Sequence, residues 1–135
     1  MNPIKLQAIL DKHKLWLADS SKGQRADLQG ADLRVSFLTD ANLYCADLRG
    51  ADLRRAYLRY TNLSGADLRR ADLRDANLYC ANLRRANLHC ADLRSAYLYG
   101  ADLRSADLRG ANLEGTLMYQ HEKLQIILDR MTIRT

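Results

Sequence analysis

No run of about twenty apolar residues and no charged leader with an apolar core and a small-residue cleavage site occurs in the 135-residue chain. The first absence excludes a transmembrane helix and the second a secretory signal, so a soluble, cytoplasmic protein is expected. The seven glycines form no phosphate-binding loop. There is no Cys-x-x-Cys and no pairing of a nucleophile with a base. Three cysteines and three histidines are too few and too scattered for a metal site; only His89 beside Cys90 brings two ligand types together. These absences argue for a non-enzyme without catalytic, cofactor or metal residues.

Charge is abundant but balanced. The formal net charge of +5 rests on 16 arginines, yet residues 26–115 hold 13 arginines against 11 aspartates and one glutamate. Most of the excess therefore lies in the two ends. Interleaved arginine and aspartate make a poor phosphate-tracking stripe, which disfavours direct nucleic-acid binding.

What the chain does have is a repeat. From Leu28 to Leu113 a leucine falls at every fifth position, giving 18 consecutive pentapeptides. Two residues before each leucine stands a small residue, nearly always alanine, with Ser36 and Thr61 the exceptions. The unit is A-(D/N)-L-x-x. In an α-helix, five residues turn the chain by about 500°, stepping successive leucines by about 140° and leaving no coherent apolar face. A strand instead places Ala and Leu on one side and the Asp or Asn between them on the other. An odd period then requires a corner in every unit, or the next leucine would face outward.

The exceptions to the Asp/Asn slot count the corners. Phe37, Tyr57, Tyr97 and Leu117 occupy it at separations of 20, 40 and 20 residues. A coil of 20 residues with four sides puts all of them on one side. A coil of ten would align Tyr57 with Asp47 and Asp67, which are not exceptions.

The run ADLRGADLRRAYL resembles the pentapeptide repeat family, and the match covers residues 26–115 or slightly more. The resemblance implies an all-β, right-handed quadrilateral parallel β-helix with the leucine and the small residue pointing inward. Coils about 4.8 Å apart would make about four and a half of them a short rod. We expect three parts: residues 1–25 as an N-terminal capping helix (roughly 3–17, started by Asn2 and Pro3) with a linker, 26–118 as the β-helix, and 119–135 as a C-terminal helix. On that last helix Leu124, Ile127, Leu128 and Met131 share one face. They either plug the last coil or pair with a second copy in a homodimer. Cys45, Cys80 and Cys90 are 35, 10 and 45 residues apart, so none stacks on another in adjacent coils and free thiols are expected.

Reading every twentieth residue gives four faces. Two carry Asp columns beside Arg columns, expected to neutralise each other diagonally between coils. A third collects Phe37, Tyr57 and Tyr97 in one column and Tyr79, Tyr99 and Tyr119 in the next, with Tyr60 at the corner. Six of the seven tyrosines lie there. The fourth, with Asn42, Asn62, Asn82 and Asp102 beside Tyr44, Arg84 and Arg104, is mildly basic. The expected role is a rigid scaffold presenting the tyrosine face to a protein partner whose identity the sequence does not give. The family offers an alternative, since its quinolone-resistance branch mimics duplex DNA and binds type II topoisomerases such as DNA gyrase. Here arginines stand beside the slots that would supply the acidity, and the charge count disfavours it.

Overall fold

The structure is a computed structural model and describes residues 1–119 and Ile126. The chain begins with helix α1, Pro3–Ala18. Asn2 starts it: its side-chain oxygen accepts the Ile4 N–H at 2.8 Å, while Pro3 needs no N–H partner in the first turn. At the far end Gly23, at φ +67°, passes so close to α1 that a Cβ there would lie 2.2 Å from the Lys12 carbonyl oxygen. Only glycine lets the chain turn back from the helix at that distance.

From Asp27 onward the chain coils. Parallel bridges pair residues 20 apart, from Asp27 with Asp47 through to Tyr97 with Leu117. Four pentapeptides therefore make one coil, and each pentapeptide makes one side. The sides are too short for extended strands: each pairs through a single bridging residue with corners on either side of it.

One unit accounts for all its backbone donors. In residues 46–50, Ala46 N–H reaches back to the Leu43 carbonyl at 3.0 Å and closes the corner, while Asp47 N–H bonds Ala26 on the coil before. Leu48 and Gly50 donate to Asp67 and Arg69 on the coil after. The fifth N–H, that of Arg49, is taken by the unit's own Asp47 side chain at 3.2 Å. Every Asp or Asn in that slot does the same for the residue after the leucine, at 3.0–3.2 Å. Asp and Asn recur because a short side chain with an oxygen on Cγ is what can reach an N–H two residues on.

The corner residue before each small residue from Ala31 on is left-handed, at φ of 54–69°. Glycine holds it in some units, but Arg55, Tyr60, Asp75 and others hold it too. The corners thus impose a backbone cost of about 1 kcal/mol on each non-glycine residue, offset by the stacking of coils on either side. Leu28 to Leu98 are buried to 1% exposure or less, with the alanines from Ala46 to Ala96 packed among them. Thr61 fits an alanine slot because its hydroxyl donates to the Leu38 carbonyl at 2.7 Å, as Ser36 does to Leu33 at 2.6 Å.

The first coil has no coil before it, yet its leucines are as buried as the rest. Leu6 of α1 joins their cluster, with Met1, Ile9 and Leu10 against it. His13 supplies the missing backbone partner: its Nδ1 accepts the Ala26 N–H at 3.0 Å, in place of the leucine carbonyl that serves later units. His13 is fully buried and stacks on Trp16, with ring centroids 5.5 Å apart. Nothing in the sequence marked it out. Toward the other end Leu103 and Leu113 are half-buried, and Ile126 is helical and buried in the same core. Leu124, Ile127, Leu128 and Met131, expected on a C-terminal helix face, lie outside the described residues.

Candidate interaction face

Paired charges cover two of the four sides, and a third, otherwise lined by Asn42, Asn62 and Asn82, carries the Arg104–Asp102 pair. Eight arginines after a leucine, from Arg34 to Arg109, each grip the aspartate of their own unit with Nε and Nη2; the Nη2–Oδ2 distance is 2.6–2.7 Å. The diagonal contacts between coils expected from the sequence do form, but they are longer, 3.6–3.9 Å, and secondary. A residue two positions on, across one bend of backbone, matches the planar fork to the carboxylate better than a residue one coil away. The arginine hydrogen bond is the main cause of the lowered carboxyl pKa of Asp32, Asp47, Asp52, Asp67, Asp92 and Asp102, and it brings Asp107 down to about 2.

The remaining side is aromatic. Phe37, Tyr57, Asn77, Tyr97 and Leu117 bridge in succession to form its first column. The Phe37 and Tyr57 rings stack at 4.8 Å with 6° between planes. In the second column Tyr99 meets Tyr119 at 5.1 Å, and Tyr79 meets the corner residue Tyr60 edge-on at 5.7 Å. All of the sequence-selected residues, Phe37, Tyr57, Tyr60, Tyr79, Tyr97, Tyr99 and Tyr119, therefore share one side. They are exposed apart from Tyr99, which is half-buried, and Phe37 reaches 80% exposure.

Placing a ring in the Asp/Asn slot has a local cost. Phe37, Tyr57 and Tyr97 carry no oxygen near the backbone, so they cannot cap the N–H of Thr39, Arg59 and Tyr99. A hydrogen bond of this kind contributes about 0.5–1.5 kcal/mol. The rings also rob Arg59 of a carboxylate. It is the one arginine after a leucine without an ion pair among the described residues, and its guanidinium lies over the Tyr60 and Tyr79 rings at 5.6 and 5.2 Å. Sequence reasoning passed over Arg59, although the signal was present: its own unit has Tyr57 where the other units with an arginine there have Asp or Asn.

Elsewhere the surface offers little chemistry. No cluster of metal-ligating side chains exists among the described residues, and no helix among them is long and apolar enough to cross a membrane. Cys45, Cys80 and Cys90 are free thiols at corners. Each is followed one coil later by a glycine, Gly65, Gly100 or Gly110, whose Cβ, if present, would lie 2.8–3.0 Å from the sulfur.

Comparisons with known proteins agree with this architecture. The family described as pentapeptide repeats matches in eight copies over residues 24–59, 51–89 and 86–119. Among solved structures, the pentapeptide repeat protein Rfr23 from the cyanobacterium Cyanothece 51142 is 35% identical with a TM-score of 0.71, over 75% of this chain and 69% of that one. The pentapeptide repeat protein alr5209 from Nostoc Pcc 7120 is 31% identical over 85% of this chain and 88% of that one, with a TM-score of 0.42. QnrB1, a plasmid-mediated fluoroquinolone resistance protein, is 21% identical over 84% of this chain and 75% of that one, also with a TM-score of 0.42. No curated protein matches in sequence. The chain belongs to the pentapeptide repeat family, structural repeat proteins that form right-handed quadrilateral β-helices.

Proposed function

We propose that the protein is a non-enzymatic scaffold whose aromatic side binds a protein partner, with α1 closing the first coil as an end cap. The observation that carries this reading is the cost of the side itself. Three other sides obey the Asp/Asn rule throughout, whereas this one gives up backbone caps and an ion pair to expose rings. Exposed aromatics anchor protein interfaces because they bury much area at little entropy cost. A local rule broken on one side only, without a buried core to fill, fits binding better than folding. The free thiols fit a reducing, cytoplasmic setting.

The charge pairing speaks against mimicry of duplex DNA, because eight of the nine slot aspartates that would stand for phosphates, all but Asp27, are neutralised by the arginine of their own unit. A gyrase supercoiling assay separates the two readings: inhibition by the purified protein would favour mimicry. The binding reading is tested by selecting displayed peptides against the wild type and counter-selecting with Tyr57, Tyr97 and Tyr99 all changed to serine. Peptides held by the first and released by the second support it. A selection in which no binder depends on these tyrosines overturns it.

A further inference from the structure

The aromatic side is not featureless, and its one central charge points to the chemistry of what binds there. At the position of Arg59, eight other units hold an arginine whose fork is filled by the aspartate two residues before it. Here the Tyr57 ring occupies that slot. The guanidinium is held instead by two tyrosine rings, a cation–π arrangement that orients it while leaving its N–H donors without a carboxylate. Among the described residues, charged groups otherwise reach this side only at its corners, as Asp40 on one and Arg55 and Asp75 on the other, and no ion pair joins them to Arg59.

We infer that Arg59 is the anchor of this face and takes an aspartate or glutamate side chain of the partner, presented on an extended segment that lies across Tyr57, Tyr60 and Tyr79. The inference rests on the scaffold reading above and names the partner's chemistry. The partner's carboxylate stands where the unit's own aspartate stands elsewhere, and the rings around it exclude water from the pair, which strengthens it. Asn77 fits an extended occupant. Its Oδ1 is used by the Tyr79 N–H at 3.1 Å, which leaves the amide nitrogen to donate to a peptide carbonyl. Tyr57 and Tyr97 are separated by two coils, about 9.6 Å, close to one three-residue turn of a polyproline II segment at about 3.1 Å per residue, which brings side chains three apart to the same side. A segment with two apolar side chains three positions apart and an acidic residue between them matches that spacing.

The test titrates the full chain with an acetylated peptide of alternating glutamate and proline, extended in solution, its lysine counterpart, and a short oligothymidylate, with tyrosine ring resonances as the readout. The glutamate peptide is expected to shift Tyr57, Tyr60 and Tyr79, and R59Q is expected to weaken it about tenfold or more with unchanged circular dichroism. R70Q, which removes the same charge at a distant corner, is expected to leave it within about twofold. Equal binding by R59Q, equal weakening by R70Q, equal binding of the lysine peptide, or no peptide binding would each overturn the inference. Tighter, Arg59-dependent binding of the oligothymidylate would overturn it in favour of nucleic-acid phosphate. If the peptide selection yields tyrosine-dependent binders that lack acidic residues and ignore R59Q, the scaffold reading survives and this inference does not; if it yields no tyrosine-dependent binder, the scaffold reading fails first.

Discussion

Lowering the pH from about 7.5 to about 5 should destabilise the protein through His13. Its Nδ1 must stay unprotonated to accept the Ala26 N–H. Burial pushes its pKa down; the Tyr44 carbonyl offsets part of this without forming a hydrogen bond to Nε2, and Arg25 adds to the fall. The unfolded chain binds this proton near pH 6.5, more readily than the folded one. His13's contribution is therefore complete above about pH 6.5 and shrinks as pH falls, by up to about 1.4 kcal/mol per unit until the folded pKa is reached. Urea unfolding across this range, with amide exchange at Ala26, reads the effect. The amide side chain introduced by H13N can place an oxygen near the Nδ1 position and does not titrate, so H13N should abolish the slope, whereas H13A should remove the bond and leave a cavity, at a cost of about 2–4 kcal/mol. The same slope in H13N, or stability that rises on acidification, would refute the role given to this residue.

Other consequences follow from the coil. G100A should destabilise by roughly 1 kcal/mol more than G30A. Both alanines would be left-handed, but only the first meets a thiol, at 2.8 Å from Cys80, and a C80A background should erase the difference in thermal unfolding. Below about pH 4 a second, salt-sensitive loss should appear. The aspartates with lowered pKa stabilise above their unfolded value and lose this as pH falls through the folded one, about 2 for Asp107; after solvent screening Asp47, Asp67 and Asp107 contribute on the order of 0.5–1 kcal/mol each. Removing residues 1–18 opens one side of Leu28, Leu33, Leu38 and Leu43 and should lower stability by about 3 kcal/mol or more in urea titration. An unchanged midpoint would show that α1 does not seal the core.

The repeat was legible because two periods are superimposed. Leucine at every fifth residue implies a corner per unit, and Phe37, Tyr57, Tyr97 and Leu117 count four units per coil, which the bridges between residues 20 apart reproduce. The tyrosine side followed from the same arithmetic. Arithmetic of columns does not say which of two aspartates an arginine chooses, so the grip within one unit, as of Arg54 on Asp52, was not foreseen. Nor does it reveal left-handed corners, because most are held by residues that seldom adopt that conformation and do so here under the constraint of neighbouring coils. His13 was invisible for another reason: its partner is a backbone N–H of the first coil, and a single helical histidine carries no periodic signal. Arg59 was hidden by resemblance to its neighbours; only the absence of an aspartate two residues earlier distinguishes it.

The most direct test restores the repeat rule on the aromatic side. The triple variant F37N/Y57N/Y97N regains caps for three backbone N–H groups and loses one ring stack and some apolar cover. These terms are each about 0.5–1.5 kcal/mol and opposed in sign. Thermal unfolding and the peptide selection would be run on the same sample. The account predicts cooperative unfolding within about 2 kcal/mol of the wild type together with loss of the tyrosine-dependent binders. A variant that fails to fold, or that keeps those binders, would contradict it and make the rings part of the rod's own packing.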